Sequence, residues 1–255
     1  MTNLTTLIFD VDGTLADTER DGHRVAFNAA FAAAGLDWDW SVPLYGELLT
    51  VTGGKERIRH YLDHYRRDFS RPAQFDAFVA DLHAAKTKHY TEMLAAGGLP
   101  LRSGVRRLLT EARDQGLRLA IATTTTPINV SALLQYSLAS DSESWFEVIA
   151  AGDIVPKKKP APDIYQFVLQ TMGVRPQECI ALEDSGNGIR SALAAGVPTV
   201  VTVSDYCRDD NFSGAVLIVD QLGEPDQPFQ LVAGDAGASR CVDVALLRRL
   251  IGGNA

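Results

Sequence analysis

Two kinds of hydrophobic pattern alternate along most of this chain. Short apolar runs that end in turn residues, such as residues 4–10 before the Asp-Gly pair at 12–13, predict buried strands. Segments with apolar residues at every third or fourth position, such as residues 105–115, predict amphipathic helices. Further strands are predicted at residues 117–122, 148–151, 178–182, 199–203 and 217–219. Strands that alternate with helices in this way indicate an α/β fold with a doubly wound, Rossmann-like parallel sheet.

The segment that follows the first strand has a different pattern. It is rich in alanine, and its apolar residues recur at helical spacing, as in Phe27, Ala30 and Phe31 before Gly35. We therefore predict an all-helical domain over residues 17–96, inserted into an α/β core domain formed by residues 1–16 and 97–255. Trp38 and Trp40 are assigned to the packing of the helical domain.

Composition narrows the classes of partner and compartment. The chain has 255 residues and a formal net charge of −8, which argues against nucleic acid as a partner but is compatible with a small phosphorylated substrate. The three cysteines form no CxxC pair, so a disulfide framework and a cysteine zinc site are not expected. Without a signal-peptide pattern or a long apolar run, we expect no membrane partner. The expected location is the cytoplasm, or the chloroplast stroma in a plastid system.

Acidic, hydroxyl and lysine side chains follow the predicted strands at their carboxyl ends. They are Asp10, Asp12, the four threonines 123–126, Asp153, Lys159, Glu183 and Asp184. A doubly wound sheet binds its ligands at that edge. Several carboxylates gathered there repel one another unless a cation lies among them, and oxygen ligands without His or Cys suit Mg²⁺. The sequence therefore predicts a magnesium site.

Mg²⁺, a lysine and hydroxyl groups suit phosphoryl transfer, because that reaction depends mostly on positioning and charge neutralisation. A carboxylate is a suitable nucleophile, since it is ionised at pH 7 without a base. Its product is an aspartyl phosphate, which water then hydrolyses. A second carboxylate two residues on can protonate the leaving alkoxide and then deprotonate the attacking water.

In order and spacing, these residues resemble the four motifs of the haloacid dehalogenase superfamily. The motifs are Asp10-Val11-Asp12-Gly13-Thr14-Leu15, Thr123, Lys159 with Pro160, and Glu183-Asp184. The resemblance covers essentially the whole chain, and the helical insert resembles the cap domain of that family. An acid at position 12 favours phosphate chemistry, because the true dehalogenases lack it.

The resemblance implies a role for each motif residue. Asp10 would be the nucleophile and a Mg²⁺ ligand, and Asp12 the general acid and base, with its backbone carbonyl on the metal. Thr123 would hold the phosphoryl group through its hydroxyl, helped by the backbone amide of Thr124. Lys159 would bridge the phosphoryl group and the nucleophile, with Lys157 and Lys158 as alternatives. Asp184 would bind Mg²⁺, and Glu183 would bind it directly or through water.

Residues 18–23, 52–58, 122–126 and 182–188 are similar to the CbbY phosphatases within that superfamily. This similarity implies a phosphatase linked to the Calvin cycle that acts on xylulose 1,5-bisphosphate. Two alternatives share the same catalytic parts. One is a sugar phosphomutase of the β-phosphoglucomutase type, and the other is a phosphoglycolate phosphatase.

A substrate with a second phosphate needs cations in the cap. We predict that Gly53, Gly54, Lys55 and Arg57 touch the substrate, although Lys55 and Arg57 at a solvated helix start would be the alternative. Glu19 and His23, four positions apart on one helix face, are predicted to bond sugar hydroxyls, with an ordinary surface pair as the alternative. Lys86 is predicted to face the cleft. We expect a monomer whose partner is a small sugar phosphate.

Overall fold

The structure is a computed structural model, and it describes residues 3–252. The predicted core domain also includes residues 1–2 and 253–255, which lie outside the described residues. The centre of the fold is one sheet. Its strands are β1 (Thr6–Phe9), β2 (Arg118–Ala122), β3 (Val148–Ala150), β4 (Cys179–Glu183), β5 (Thr199–Thr202), β6 (Leu217–Val219) and β7 (Leu231–Gly234). Their order across the sheet is β3-β2-β1-β4-β5-β6-β7.

The sheet is parallel from β1 to β6, which confirms the predicted doubly wound α/β class. The edge strand β7 is antiparallel to β6 and was not predicted. All four residues of β7 are exposed, so they lack the half-buried alternation by which strands are recognised. Only pairing with β6, which depends on the tertiary fold, makes this segment a strand.

The helices divide into two sets along the chain. Between β1 and residue 97 lie α1 (Arg24–Ala33), α2 (Val42–Leu48), α3 (Gly54–His64) and α4 (Phe75–Ala95). A single π-helical turn, Glu19–His23, leads into α1. After residue 97 lie α5 (Val105–Asp114), α6 (Pro127–Leu133), α7 (Asp163–Met172), α8 (Gly186–Ala194) and α9 (Val244–Gly252). In the described part of the chain, no helix is both long and apolar enough to cross a membrane.

The helical insert has an apolar cluster of its own. Trp38 and Trp40 are buried there against Phe27, Phe31 and Tyr61, which confirms their assignment to packing. The two faces of the sheet are covered by separate clusters, one beneath α5 and α9 and the other beneath α7. The last turns of α4 contribute Tyr90 and Leu94 to the first of these, which joins the insert to the core.

The strand order places a crevice beside β1. The chain moves from β1 to β2 and β3 on one side, and then crosses to β4 on the other side of β1. A reversal of this kind opens a crevice at the carboxyl ends of the strands. In register, Phe9 at the end of β1 lies between Ile121 of β2 and Leu182 of β4. The polar residues that follow these three positions therefore meet at one place.

Candidate active site

Three carboxylates meet where β1 and β4 end. Asp10 follows β1, Glu183 is the last residue of β4, and Asp184 comes next. One oxygen from each side chain lies within 4.8 Å of the other two. The amide of Asp10 donates to the carbonyl of Leu182 at 3.0 Å, which holds the two strand ends side by side. The parallel register thus brings together acids that are more than 170 positions apart in the sequence.

Lys159 is the cation of this cluster. Its Nζ lies 2.7 Å from Oδ1 of Asp10, 2.7 Å from Oε1 of Glu183 and 2.8 Å from the carbonyl oxygen of Ala122. The ammonium group therefore has an acceptor for each of its three protons. Burial by itself would lower the pKa of Lys159, but Asp10 and Glu183 outweigh it and raise that pKa above its usual value. The lysine is held in its charged form.

The single positive charge of Lys159 is not enough to neutralise the three acids of the cluster. Burial, together with the neighbouring carboxylates, raises the pKa of Asp10 well above its usual range. Burial and Glu183 raise the pKa of Asp184 to about 7, although Ser204 donates a hydrogen bond to its Oδ2 at 2.6 Å. Oε2 of Glu183 is buried and has no hydrogen-bond partner. A group of carboxylate oxygens with an unpartnered buried oxygen fits a hard divalent cation such as Mg²⁺.

Asp12 points away from this cluster, toward the helical insert. Its Oδ1 accepts a hydrogen bond from Oγ1 of Thr18 at 2.5 Å and lies 2.9 Å from Nε2 of His23. Burial would raise the pKa of Asp12, but His23 and Thr18 outweigh it and lower that pKa to about 2. The other ring nitrogen of His23, Nδ1, lies 2.9 Å from Nζ of Lys86. Because an ammonium group only donates, Nδ1 accepts and Nε2 carries the proton that His23 donates to Asp12.

A cavity of about 370 Å³ opens between the core and the insert, directly over the acidic cluster. Eight of the predicted site residues line it. They are Asp10, Asp12, Glu19, Gly53, Arg57, Thr124, Lys159 and Asp184.

A second cavity, of about 120 Å³, lies on the other side of Asp12. Asp12, Glu19, Gly53, Arg57 and Thr124 line this cavity too, together with the remaining predicted insert residues, which are His23, Gly54, Lys55 and Lys86. Its core wall includes Thr125, Thr126, Asn129 and Lys158. The side-chain oxygens of Thr126 and Asn129 are buried without a partner. The second cavity therefore combines several cations with free polar atoms.

Two predicted residues line neither cavity. Thr123 is buried at the end of β2, where its amide donates to the carbonyl of Ala150 and its hydroxyl oxygen accepts from the amide of Thr125. Glu183, the third acid of the cluster, is fully buried, and its carboxylate also accepts from the hydroxyl of Tyr165.

The insert residues already have partners within the protein. Glu19 accepts from the hydroxyl of Tyr45 at 2.6 Å, and that hydroxyl accepts from Nη1 of the buried Arg57 at 2.8 Å. Lys55, in the first turn of α3, pairs with Asp153 of the core at 3.2 Å. Gly53 and Gly54 form the start of α3. Arg57 is thus a fixed, buried cation, and Lys55 is a half-exposed one that bridges insert and core.

Several residues around the site were not identified from the sequence. Ser204 follows β5, so the rule that identified the other strand ends would also have pointed to it. The same rule does not apply to Thr18, Tyr45 and Tyr165. Thr18 precedes the π-helical turn, and the two tyrosines lie in α2 and α7, so none of them follows a strand of the sheet. Their roles depend on long-range contacts that only the folded chain provides.

The chain is similar to known proteins of one hydrolase family. The model of the haloacid dehalogenase-like hydrolase family matches residues 4–196. The plasmid-encoded CbbY protein of Cupriavidus necator is 51% identical over 95% of this chain and 94% of its own length. A crystal structure of Rhodobacter sphaeroides CbbY with phosphate superposes with a TM-score of 0.80 at 46% identity, covering 86% of this chain and 94% of that one. A mutant of the same protein in complex with xylulose 1,5-bisphosphate also has a TM-score of 0.80, at 45% identity and the same coverage.

Proposed function

Because this chain belongs to the haloacid dehalogenase-like hydrolases and is a phosphatase of the CbbY type, we propose that it removes one phosphate from a sugar bisphosphate, with xylulose 1,5-bisphosphate as its substrate. The observation that carries the proposal is the pair of cavities that meet at Asp12. The larger cavity contains the proposed nucleophile beside a charged lysine. The smaller cavity is lined by Lys55, Arg57, Lys86 and Lys158, together with threonine hydroxyls. The Rhodobacter sphaeroides complex supports the choice of sugar.

Asp10 is the proposed nucleophile. Its carboxylate attacks phosphorus, so that a bond from phosphorus to Asp10 forms while the bond to the sugar oxygen breaks. Lys159 holds the attacking carboxylate in place and offsets negative charge in the transition state. Asp10, Glu183, Asp184 and the backbone carbonyl of Asp12 would hold Mg²⁺, which would neutralise charge on the phosphoryl oxygens.

Asp12 is the proposed proton carrier. An incoming phosphate brings negative charge, which raises the pKa of Asp12 and favours the protonated form that the leaving sugar oxygen needs. After that transfer, Asp12 is again a carboxylate and accepts a proton from the water that attacks the aspartyl phosphate. The water oxygen joins phosphorus, the bond to Asp10 breaks, and inorganic phosphate leaves. His23 keeps the carboxylate oriented through both steps.

The second phosphate is proposed to bind in the smaller cavity. Arg57 and Lys55 supply charge from the insert, and the amides at Gly53 and Gly54 lie at the positive end of α3. Lys158, which also lines this cavity, supplies charge from the core. Residues 17–96 would act as a cap, since closure over the sugar excludes water and adds contacts to the leaving group. Glu19 is proposed to contact a sugar hydroxyl from the larger cavity.

The test is a phosphate-release screen with Mg²⁺. The substrates are xylulose 1,5-bisphosphate, ribulose 1,5-bisphosphate, sugar monophosphates and phosphoglycolate, and the expected preference is for xylulose 1,5-bisphosphate. Asp10→Asn should abolish release, whereas Asp114→Asn, an identical change at an exposed position of α5, should leave it unchanged. Preference for phosphoglycolate would contradict the proposed substrate. An isomeric sugar phosphate without free phosphate would indicate a mutase.

A further inference from the structure

Arg102 occupies an unusual position between the insert and the core. It lies in the connection between α4 and α5, and its side chain is only 10% exposed. Its amide donates to the carbonyl of Leu15 at 2.9 Å, and its Nε lies 3.4 Å from Oδ1 of Asp17. Leu15 and Asp17 belong to the connection that leaves β1 for the insert. Arg102 therefore touches both of the connections that join the insert to the core.

The guanidinium group of Arg102 donates mainly to backbone carbonyls. Nη1 donates to the carbonyls of Gly13 and Thr202, the latter at 3.0 Å. Nη2 donates to the carbonyls of Val203 and Asp220, each at 2.8 Å. These carbonyls lie in the turn after β1 and at the ends of β5 and β6. One side chain thus ties three chain segments together.

Two of these segments hold Asp184 between them. A Cβ at Gly13 would lie 2.6 Å from Cγ of Asp184, so the turn after β1 is packed directly against that carboxylate. On the other side, Ser204 follows Val203 and donates to Oδ2 of Asp184 at 2.6 Å. Moving either segment would therefore move Asp184 relative to Asp10, which lies three positions before Gly13.

We propose that Arg102 is a positioning residue, whose guanidinium group fixes the turn after β1 against the end of β5 and so sets the distance between Asp10 and Asp184. A lysine could not replace it, because an ammonium group is a single point from which four diverging carbonyls cannot be reached. The inference rests on the proposed metal-binding role of Asp10 and Asp184.

The test compares Arg102→Ala with Arg106→Ala. Arg106 also donates to backbone carbonyls, those of Leu138 and Ser137, but away from the site, so it controls for the loss of an arginine that binds carbonyls. The dissociation constant of Mg²⁺ is measured by calorimetry. We expect a rise of about 10- to 100-fold in Arg102→Ala, as for other partners that orient metal ligands. In Arg106→Ala we expect less than about a twofold change. Added guanidinium at non-denaturing concentration should partly restore the Mg²⁺ affinity of Arg102→Ala and should not change that of Arg106→Ala. Methylammonium should not restore the Mg²⁺ affinity of Arg102→Ala.

Hydrogen exchange provides a readout that needs no metal. In Arg102→Ala, the amides of residues 10–16 and 202–206 should exchange faster than in the wild type, while those of α7 stay unchanged. If Arg102→Ala does not fold, Arg102→Lys is measured instead. Weaker Mg²⁺ binding and faster exchange are expected for it as well, but no rescue by guanidinium. Wild-type Mg²⁺ affinity and wild-type exchange in a folded Arg102 variant would overturn the inference. Wild-type protein that binds no Mg²⁺ would contradict the proposed function, and the exchange comparison would still decide the role of Arg102.

Discussion

Gly188 offers a sharp test of how the acidic cluster is packed. It lies in the first turn of α8, and a Cβ there would lie 2.7 Å from Oε1 of Glu183 and closer still to Oε2. In a helix, Gly→Ala ordinarily stabilises by up to about 1 kcal/mol. Here Glu183 would have to move, and it is fully buried, paired with Lys159 and bonded to Tyr165.

The balance of these effects predicts a loss for Gly188→Ala. Breaking a buried ion pair costs about 3–5 kcal/mol, so the net destabilisation should be about 2–4 kcal/mol. Unfolding in guanidinium chloride measures this, with Gly252→Ala as the control, because a Cβ at Gly252 in α9 meets nothing within 4 Å. The control should change stability by less than about 1 kcal/mol.

The cause of the loss can be tested separately. If the added methyl group acts through the carboxylate of Glu183, its cost should disappear when Gly188→Ala is made in a Glu183→Ala background. Phosphate release should also fall in the single variant, by about 10-fold or more, because Glu183 orients Lys159. A Gly188→Ala protein as stable and as active as the wild type would refute this account of the cluster.

Three further outcomes are expected. Mg²⁺ at about 100 times its dissociation constant should stabilise the protein by about 2.7 kcal/mol, because it relieves repulsion among the clustered acids. In a thermal melt this corresponds to a rise in Tm of roughly 5–10 °C, and no rise would contradict a metal site. Lys86→Met should lower kcat about 10- to 100-fold by leaving Nδ1 of His23 without its donor, whereas Lys88→Met, at an exposed position of the same helix, should not. Trp40→Ala should cost about 3–5 kcal/mol in urea unfolding, since Trp40 is fully buried in the insert; a cost below about 1 kcal/mol would contradict that packing.

The bonds of His23 connect the insert to the proposed chemistry. His23 lies at the end of the π-helical turn and contacts Asp12 of the core on one side and Lys86 of α4 on the other. Any movement of the insert relative to the core would therefore change the surroundings of Asp12. This coupling gives a physical reason for the proposed acid and base, Asp12, to work only when the proposed cap, residues 17–96, is in place.

The sequence alone was enough to predict the fold class and the edge of the sheet where the polar residues meet. Hydrophobic periodicity reports which positions are buried, and parallel strands all end at the same edge, so Asp10, Lys159, Glu183 and Asp184 could be expected together without knowledge of any contact. The packing role of Trp38 and Trp40 was predictable on similar grounds.

Only the tertiary structure decided which side chains touch. The contact of His23 with Lys86 spans 63 positions, and that of Arg102 with Thr202 spans 100. The exposed strand β7 exists only through its pairing with β6. A periodic pattern records whether a residue is buried, but not the direction of its side chain or its partner on another element. Those depend on how distant segments pack, and at this site they determine the charge on each group.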